Sequence, residues 1–126
     1  RHYGMEENVH LIGAHKDVSL YLSVMDFFLL TSQFEGTSNV ILEAEWFGLP
    51  CVVLDAGGSA ESVDEGITGR VCPNDDPKVI AEMVLTMLND VSFVGHARDQ
   101  GPNFVAKCYG MERMINETLN VFEFKN

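Results

Sequence analysis

The chain has 126 residues, 46% of them hydrophobic, with 11 glycines and 4 prolines, a composition that fits one compact domain and excludes a disordered or collagen-like chain. The formal net charge is −11, and the 8 Lys and Arg are scattered from Arg1 to Lys125, which argues against a nucleic-acid-binding or anionic-membrane-binding surface. Cys51, Cys72 and Cys108 are odd in number and far apart, so they read as small residues in a reducing cytoplasm, not as a disulfide framework or metal site.

Short apolar runs alternate with helical patterns along the chain. "VHLIG" (9–13) predicts a strand, and "DVSLYLSVM" (17–25) a helix opened by Asp17 as N-cap. "FFLLTS" (27–32) predicts a second strand. "SNVILEAEWF" (38–47) follows as a helix capped by Ser38 and stopped by Gly48-Leu49-Pro50. "CVVLD" (51–55) predicts a strand, "SAESVDE" (59–65) a short helix capped by Ser59, and "GRVC" (69–72) another strand. "DPKVIAEMVLTMLND" (76–90) reads as a helix, Gly95 to Pro102 as a broken stretch, and "GMERMINETLNVFEF" (110–124) as the body of a C-terminal helical segment spanning 105–126. Val79, Met83, Met87 and Leu88, and later Met111, Met114, Ile115 and Phe122, recur at helical spacing and are expected to pack into a core.

Strand, helix, strand, helix at this spacing implies βαβ units and a parallel sheet covered on both faces. The expected fold is α/β: a partial Rossmann-like three-layer domain of about four mainly parallel strands, occupying residues 1–126 as a single unit. In such sheets ligands gather at the carboxyl ends of the strands. No run of about 18 apolar residues predicts a membrane span, and no leader is expected. The chain opens on Arg1 instead of Met and is expected to be a piece of a longer protein.

The stretch "TSQFEGTSNVILEAEWFGLP" (31–50) carries the candidate chemistry. It passes from a strand through a Gly-Thr-Ser turn into a helix, and a helix N-terminus behind small residues is a natural seat for an anion. Glu43 lies roughly 7 Å down the axis from Ser38, at 1.5 Å per residue, on the face of Asn39 and Trp46. Val40, Ala44 and Phe47 form an adjacent stripe expected to face the sheet, and Glu35 precedes the turn. The two carboxylates therefore lie on opposite sides of the seat. A ligand with a phosphate centre and hydroxyl groups at both ends suits that arrangement. "DAGGSAE" (55–61) follows the next strand, and its paired glycines let backbone amides come close to the same ligand.

Glu35-Gly36, Glu43 eight residues after Glu35, "GLPCVVLDAGGSAE" and "GITGRVCPNDDP" form an ordered series, with "VHLIG" and "DFFLLTS" upstream. Over about residues 9–90 it resembles the donor-binding domain of the retaining family-four glycosyltransferases, which have the two-domain GT-B fold. The resemblance implies that Glu35 contacts hydroxyls of the transferred sugar and that Glu43 accepts from the nucleotide ribose. It implies a diphosphate held by Gly36, Thr37 and Ser38, with Asn39 beside them, and a base contacted by Ala14, His15 and Lys16. Its substrate would be a nucleotide-diphosphate sugar, with no cofactor and no metal ion needed. Ser38 stands where proline is common, Cys51 replaces a valine, and Glu45 and Trp46 occupy positions where small or apolar residues are commoner. Glu61 completes the "GGSAE" motif without the usual proline before it, and reads as a structural residue that holds its loop.

The resemblance also implies units that come before "VHLIG" in the family: two strand-helix units carrying an Arg and a Lys for the diphosphate, and an N-terminal domain for a glycan or lipid-linked acceptor. The expectation is a catalytically silent fragment of a cytoplasmic enzyme that works at the inner face of the membrane. Because the earliest strands of such sheets are central, their loss should separate "VHLIG" from "DFFLLTS". Either an altered strand order or a homodimer would then cover the gap.

Other signals are weaker. His2, His10, His15 and His96 have no i, i+4 pairing or Cys companions. Ser59 follows a double glycine, but no Gly-x-Ser-x-Gly elbow is present, and Asn116-Glu117-Thr118 is only a formal glycosylation sequon. The alternative function is a non-catalytic α/β module for ligand sensing or protein contact, which fold alone does not separate from the transferase.

Overall fold

The computed structural model describes residues 3–34 and 36–123. Three strands, β1 (Phe28–Leu30), β2 (Cys51–Leu54) and β3 (Gly69–Cys72), form one parallel sheet in the order β1-β2-β3. Phe28 pairs with Cys51, and Cys51 in turn with Gly69. The helices are α1 (Ser19–Leu22), α2 (Asn39–Trp46), α3 (Pro77–Asn89), α4 (Val91–Tyr109) and α5 (Met111–Glu123), and a 3₁₀ turn covers Gly57–Ser62.

β2 is central, and all four of its residues are buried. A run of Cys, Val, Val and Leu with no polar alternation requires apolar cover on both faces. On one face Cys51 and Val53 join Leu22, Ile41, Ala44, Leu49 and Val63. On the other, Val52 meets Met87, Phe93 and Ala97 from α3 and α4, and Leu54 packs near Cys72 against Val79 and Ile80. Further along α4, Gly101 meets the backbone of α2. Cys51 and Cys72 are buried, Cys108 is half-buried, and all three are free thiols.

Several expectations change. The sheet has three strands, because "VHLIG" (9–13) joins no ladder: Leu11 is 95% exposed, with Val9 and Ile12 more than half exposed. An apolar run becomes a strand only where a neighbour accepts its backbone hydrogen bonds, and β1 ends the sheet on the side where such a neighbour would lie. Gly95 to Pro102 is continuous helix within α4. Pro102 removes one bond, the one its missing N–H would make to the Arg98 carbonyl. Residues 105–109 finish α4, and Gly110 separates them from α5.

The apolar stripe of α5 is not core: Met111, Met114, Ile115 and Phe122 are between 46% and 71% exposed. On α2 the inward face is Ile41, Ala44 and Glu45, while Val40 is half-buried and Phe47 is exposed. Glycine ends α2 as its position predicts. Gly48 takes φ +72°, with its N–H donating to the Glu45 carbonyl and Leu49 N–H to that of Ala44.

Candidate functional site

Three loops leave the carboxyl ends of β1, β2 and β3, and the structure ties them into one rim. Gly58, in the loop after β2, lies against the backbone of the loop after β1; a β-carbon there would stand 2.6 Å from the Gly36 carbonyl carbon and 2.7 Å from the Thr37 nitrogen. Only glycine admits so close an approach of two backbones. The Ser62 hydroxyl donates to the Gly58 carbonyl (2.9 Å) and accepts from the Ser38 N–H (3.4 Å). Gln33 Nε2 donates to Asp75 across to the loop after β3 (2.6 Å).

The first turn of α2 opens at this junction. Ser38, at the N-cap, is buried in an extended conformation, but its side chain makes no capping bond. Among the described residues the amides of Gly36, Thr37, Asn39 and Val40 donate to no protein group, and Gly36, Thr37 and Asn39 are exposed. Four orphan N–H groups around an exposed turn are equipped to receive an anion. Ser59 does not cap either: the 3₁₀ turn starts from Ala56, and the Ser59 hydroxyl is buried without a partner.

Glu43 is exposed on α2 and shares a cavity of about 300 Å³ with Lys16, Asp17, Val18, Ser19, Leu22 and Phe47. The fold thus brings together Lys16 and Glu43, two of the residues the sequence singles out, 27 positions apart along the chain. Ala14 and His15 are exposed outside that lining. His15 lies against Tyr21, with ring centroids 4.9 Å apart, and its Nε2 is 2.8 Å from the Ile12 carbonyl oxygen. Asp17 accepts from both the hydroxyl and the N–H of Ser19, which holds its carboxyl below the usual carboxylate range. Glu35 lies outside the described residues.

Glu61 differs from its expected role in one respect. Its carboxylate is exposed and makes no hydrogen bond among the described residues; the loop is held instead through its backbone carbonyl, which accepts from the Tyr109 hydroxyl at 2.5 Å. Sequence reasoning missed Ser62, Gln33, Asp75 and Tyr109, whose partners are 24 to 48 positions away and carry no local pattern. It also did not find that Glu45 is fully buried, with Oε1 accepting from the Thr68 hydroxyl and Oε2 unpartnered. Burial pushes this carboxyl up to about 7, against the pull of the Thr68 bond and with a smaller push from Asp64. Among the described residues no group of three His, Cys, Asp or Glu could hold a metal ion, and no single helix is long and apolar enough to cross a membrane.

Residues 1–90 match the family model described as Glycosyl transferases group 1. The Vi polysaccharide biosynthesis protein VipC/TviE of Salmonella typhi is 41% identical over 68 residues, 54% of this chain and 12% of that protein. The N-acetyl-alpha-D-glucosaminyl L-malate synthase of Bacillus anthracis is 25% identical over 118 residues, 94% of this chain and 31% of that enzyme. Among solved structures, Anabaena Alr3699/HepE in complex with UDP superposes with a TM-score of 0.78 at 23% identity, over 94% of this chain and 34% of that one. The α/β arrangement of this chain therefore matches that of solved glycosyltransferase-type structures. The chain spans between 12% and 34% of the length of each of these proteins.

Proposed function

Because the chain belongs to the Glycosyl transferases group 1 family, we propose that it is the donor-binding part of a glycosyltransferase that moves a sugar, with retention, from a nucleotide-diphosphate sugar to a glycan, lipid or polysaccharide acceptor. One observation carries this reading: Gly58 packs on Gly36 and Thr37 beside the uncapped first turn of α2. That contact makes two strand-to-helix loops into a single seat lined by backbone amides.

In this proposal the diphosphate sits on the amides of Gly36 and Thr37 and on the first turn of α2 that Ser38 begins, and these donors stabilise the charge that develops on the leaving group. Glu43 receives the ribose hydroxyls, and Lys16, across the same cavity, lies at its base end. Glu35 positions the sugar and shields positive charge at the anomeric carbon. The departing phosphate is the base for the acceptor hydroxyl, and no metal is required. The chain alone binds its donor weakly, because its charge of −11 opposes a diphosphate, and it is catalytically silent; sugar transfer by the purified chain would overturn that part.

The experiment is an NMR titration of the chain with UDP-, GDP- and ADP-sugars at up to millimolar concentration. One of the three is expected to shift the amides of Gly36, Thr37, Asn39 and Val40. Glu43→Ala should weaken that donor about tenfold, as loss of a charged hydrogen-bond acceptor does. Equal binding by both proteins would overturn the ribose role of Glu43, and the absence of shifts at residues 36–40 would overturn the seat.

A further inference from the structure

We infer that Ser62 is a positioning residue of the donor seat, its hydroxyl clasping the loop after β1 to the loop after β2 and deciding which amides are left for the ligand. Ser62 is fully buried and lies just outside the Gly-Gly-x-x-Glu series that marks the loop. Its Oγ can donate one proton and accept others. Here it donates to the Gly58 carbonyl at 2.9 Å and accepts from the Ser38 N–H at 3.4 Å. The two groups it joins belong to the two loops that meet at Gly58 and Gly36.

The consequence is an allocation of donors. At an uncapped helix start the N-cap N–H would be one more amide for the anion, yet at Ser38 it is buried and committed to Ser62. Gly36 and Thr37 on the loop and Asn39 and Val40 on the helix keep theirs. The clasp thus splits the seat into two pairs of amides with a closed position between them, and it holds the Gly58 carbonyl on the hydroxyl. Without that hydroxyl, one buried N–H and one carbonyl lose their partner together, a situation folded proteins avoid. The loops are then expected to separate until water reaches both.

This inference rests on the donor reading above, and its test has one arm that does not. Amide hydrogen exchange is measured by NMR on the 126-residue chain, with Val52 and Val53 of the core strand as internal standards for global opening. In Ser62→Ala, Ser38 exchange is expected to rise at least about tenfold relative to those standards, and UDP affinity to fall by about the same factor. Ser62→Thr and Ser62→Val have the same shape and differ only in the hydroxyl. Thr is expected to protect Ser38 and keep UDP affinity better than Val does, which a role in packing alone would not produce. Unchanged relative exchange at Ser38, unchanged UDP affinity in Ser62→Ala, or equal behaviour of the Thr and Val variants would each overturn the inference. If the wild-type chain bound none of UDP, GDP and ADP at millimolar concentration, the donor reading would fall while the exchange comparison still decided the clasp; if it bound GDP or ADP instead of UDP, the affinity arm is read with that nucleotide.

Discussion

Gly58 and Gly36 are in backbone contact: a methyl group on Gly58 would lie 2.6 Å from the Gly36 carbonyl carbon and 2.7 Å from its oxygen. No side chain is present there to move aside, so Gly58→Ala must push the two loops apart. The substitution is expected to cost about 1–3 kcal/mol, the usual range for overpacking, and to abolish measurable donor binding. Thermal unfolding and a UDP titration on the same protein check the two effects, and retained UDP affinity would contradict the shared seat.

Glu45 makes stability depend on pH in an unusual direction for an acid. Its carboxyl is raised from 4.5 to about 7 by burial, so between those values the folded chain holds a proton that the unfolded chain has released. This contribution is fully present below about pH 4.5 and is lost as pH rises through about 7, for a total of at most about 3 kcal/mol. Glu45→Gln should match the wild type near pH 4 and exceed it in stability at pH 8, by urea unfolding at both values. Parallel pH profiles would contradict the neutral buried carboxyl.

Gly101 is where α4 meets the backbone of α2. A β-carbon there would lie 2.6 Å from the Glu45 carbonyl oxygen. In an exposed helix Gly→Ala gains up to about 1 kcal/mol, but here the clash dominates. Gly101→Ala is expected to destabilise by about 1–3 kcal/mol, whereas Gly95→Ala, with nothing within 4 Å, should stabilise. Comparison of the two unfolding midpoints checks the sign at each site.

Asp76 caps α3, its carboxylate accepting from the Lys78 N–H at 2.9 Å with Pro77 at the first helical position. Asp76→Ala is expected to cost about 1 kcal/mol and to leave donor affinity unchanged, because its neighbour Asp75, not Asp76, bonds to the rim at Gln33. A calorimetric melt and a UDP titration measure the two separately.

Much of this architecture is local chemistry and was readable as such. "CVVL" is apolar on both faces and can only be a covered central strand, and Pro77 and Gly48 start and stop their helices by their own φ preferences. Of the candidate site, the turn, the helix behind it and the place of Glu43 on that helix were readable, because a Gly-Thr-Ser turn before a helix and helical spacing are local features. "VHLIG" was misread because a strand is a property of a pair: the pattern alone does not supply the neighbour. Pro102 looked like a break because proline removes a bond, yet one missing bond in the 19 residues of α4 does not end a packed helix. The stripe of α5 has core periodicity, but periodicity does not say whether anything covers it.

Sequence by itself determined the strand-helix alternation, the parallel sheet, the ordered family series over about residues 9–90, and the Gly-Thr-Ser turn that leads into a helix bearing Glu43, because each rests on spacings of a few residues or on one side chain's preference. The tertiary structure decided which distant groups meet: Gly58 on Gly36, Ser62 on Ser38, Lys16 across a cavity from Glu43, and Glu45 under α4 with a proton it would lose in water. These contacts join segments whose distance along the chain exceeds any helical or strand period. Their energies depend on burial and on partners that exist only once the chain has folded.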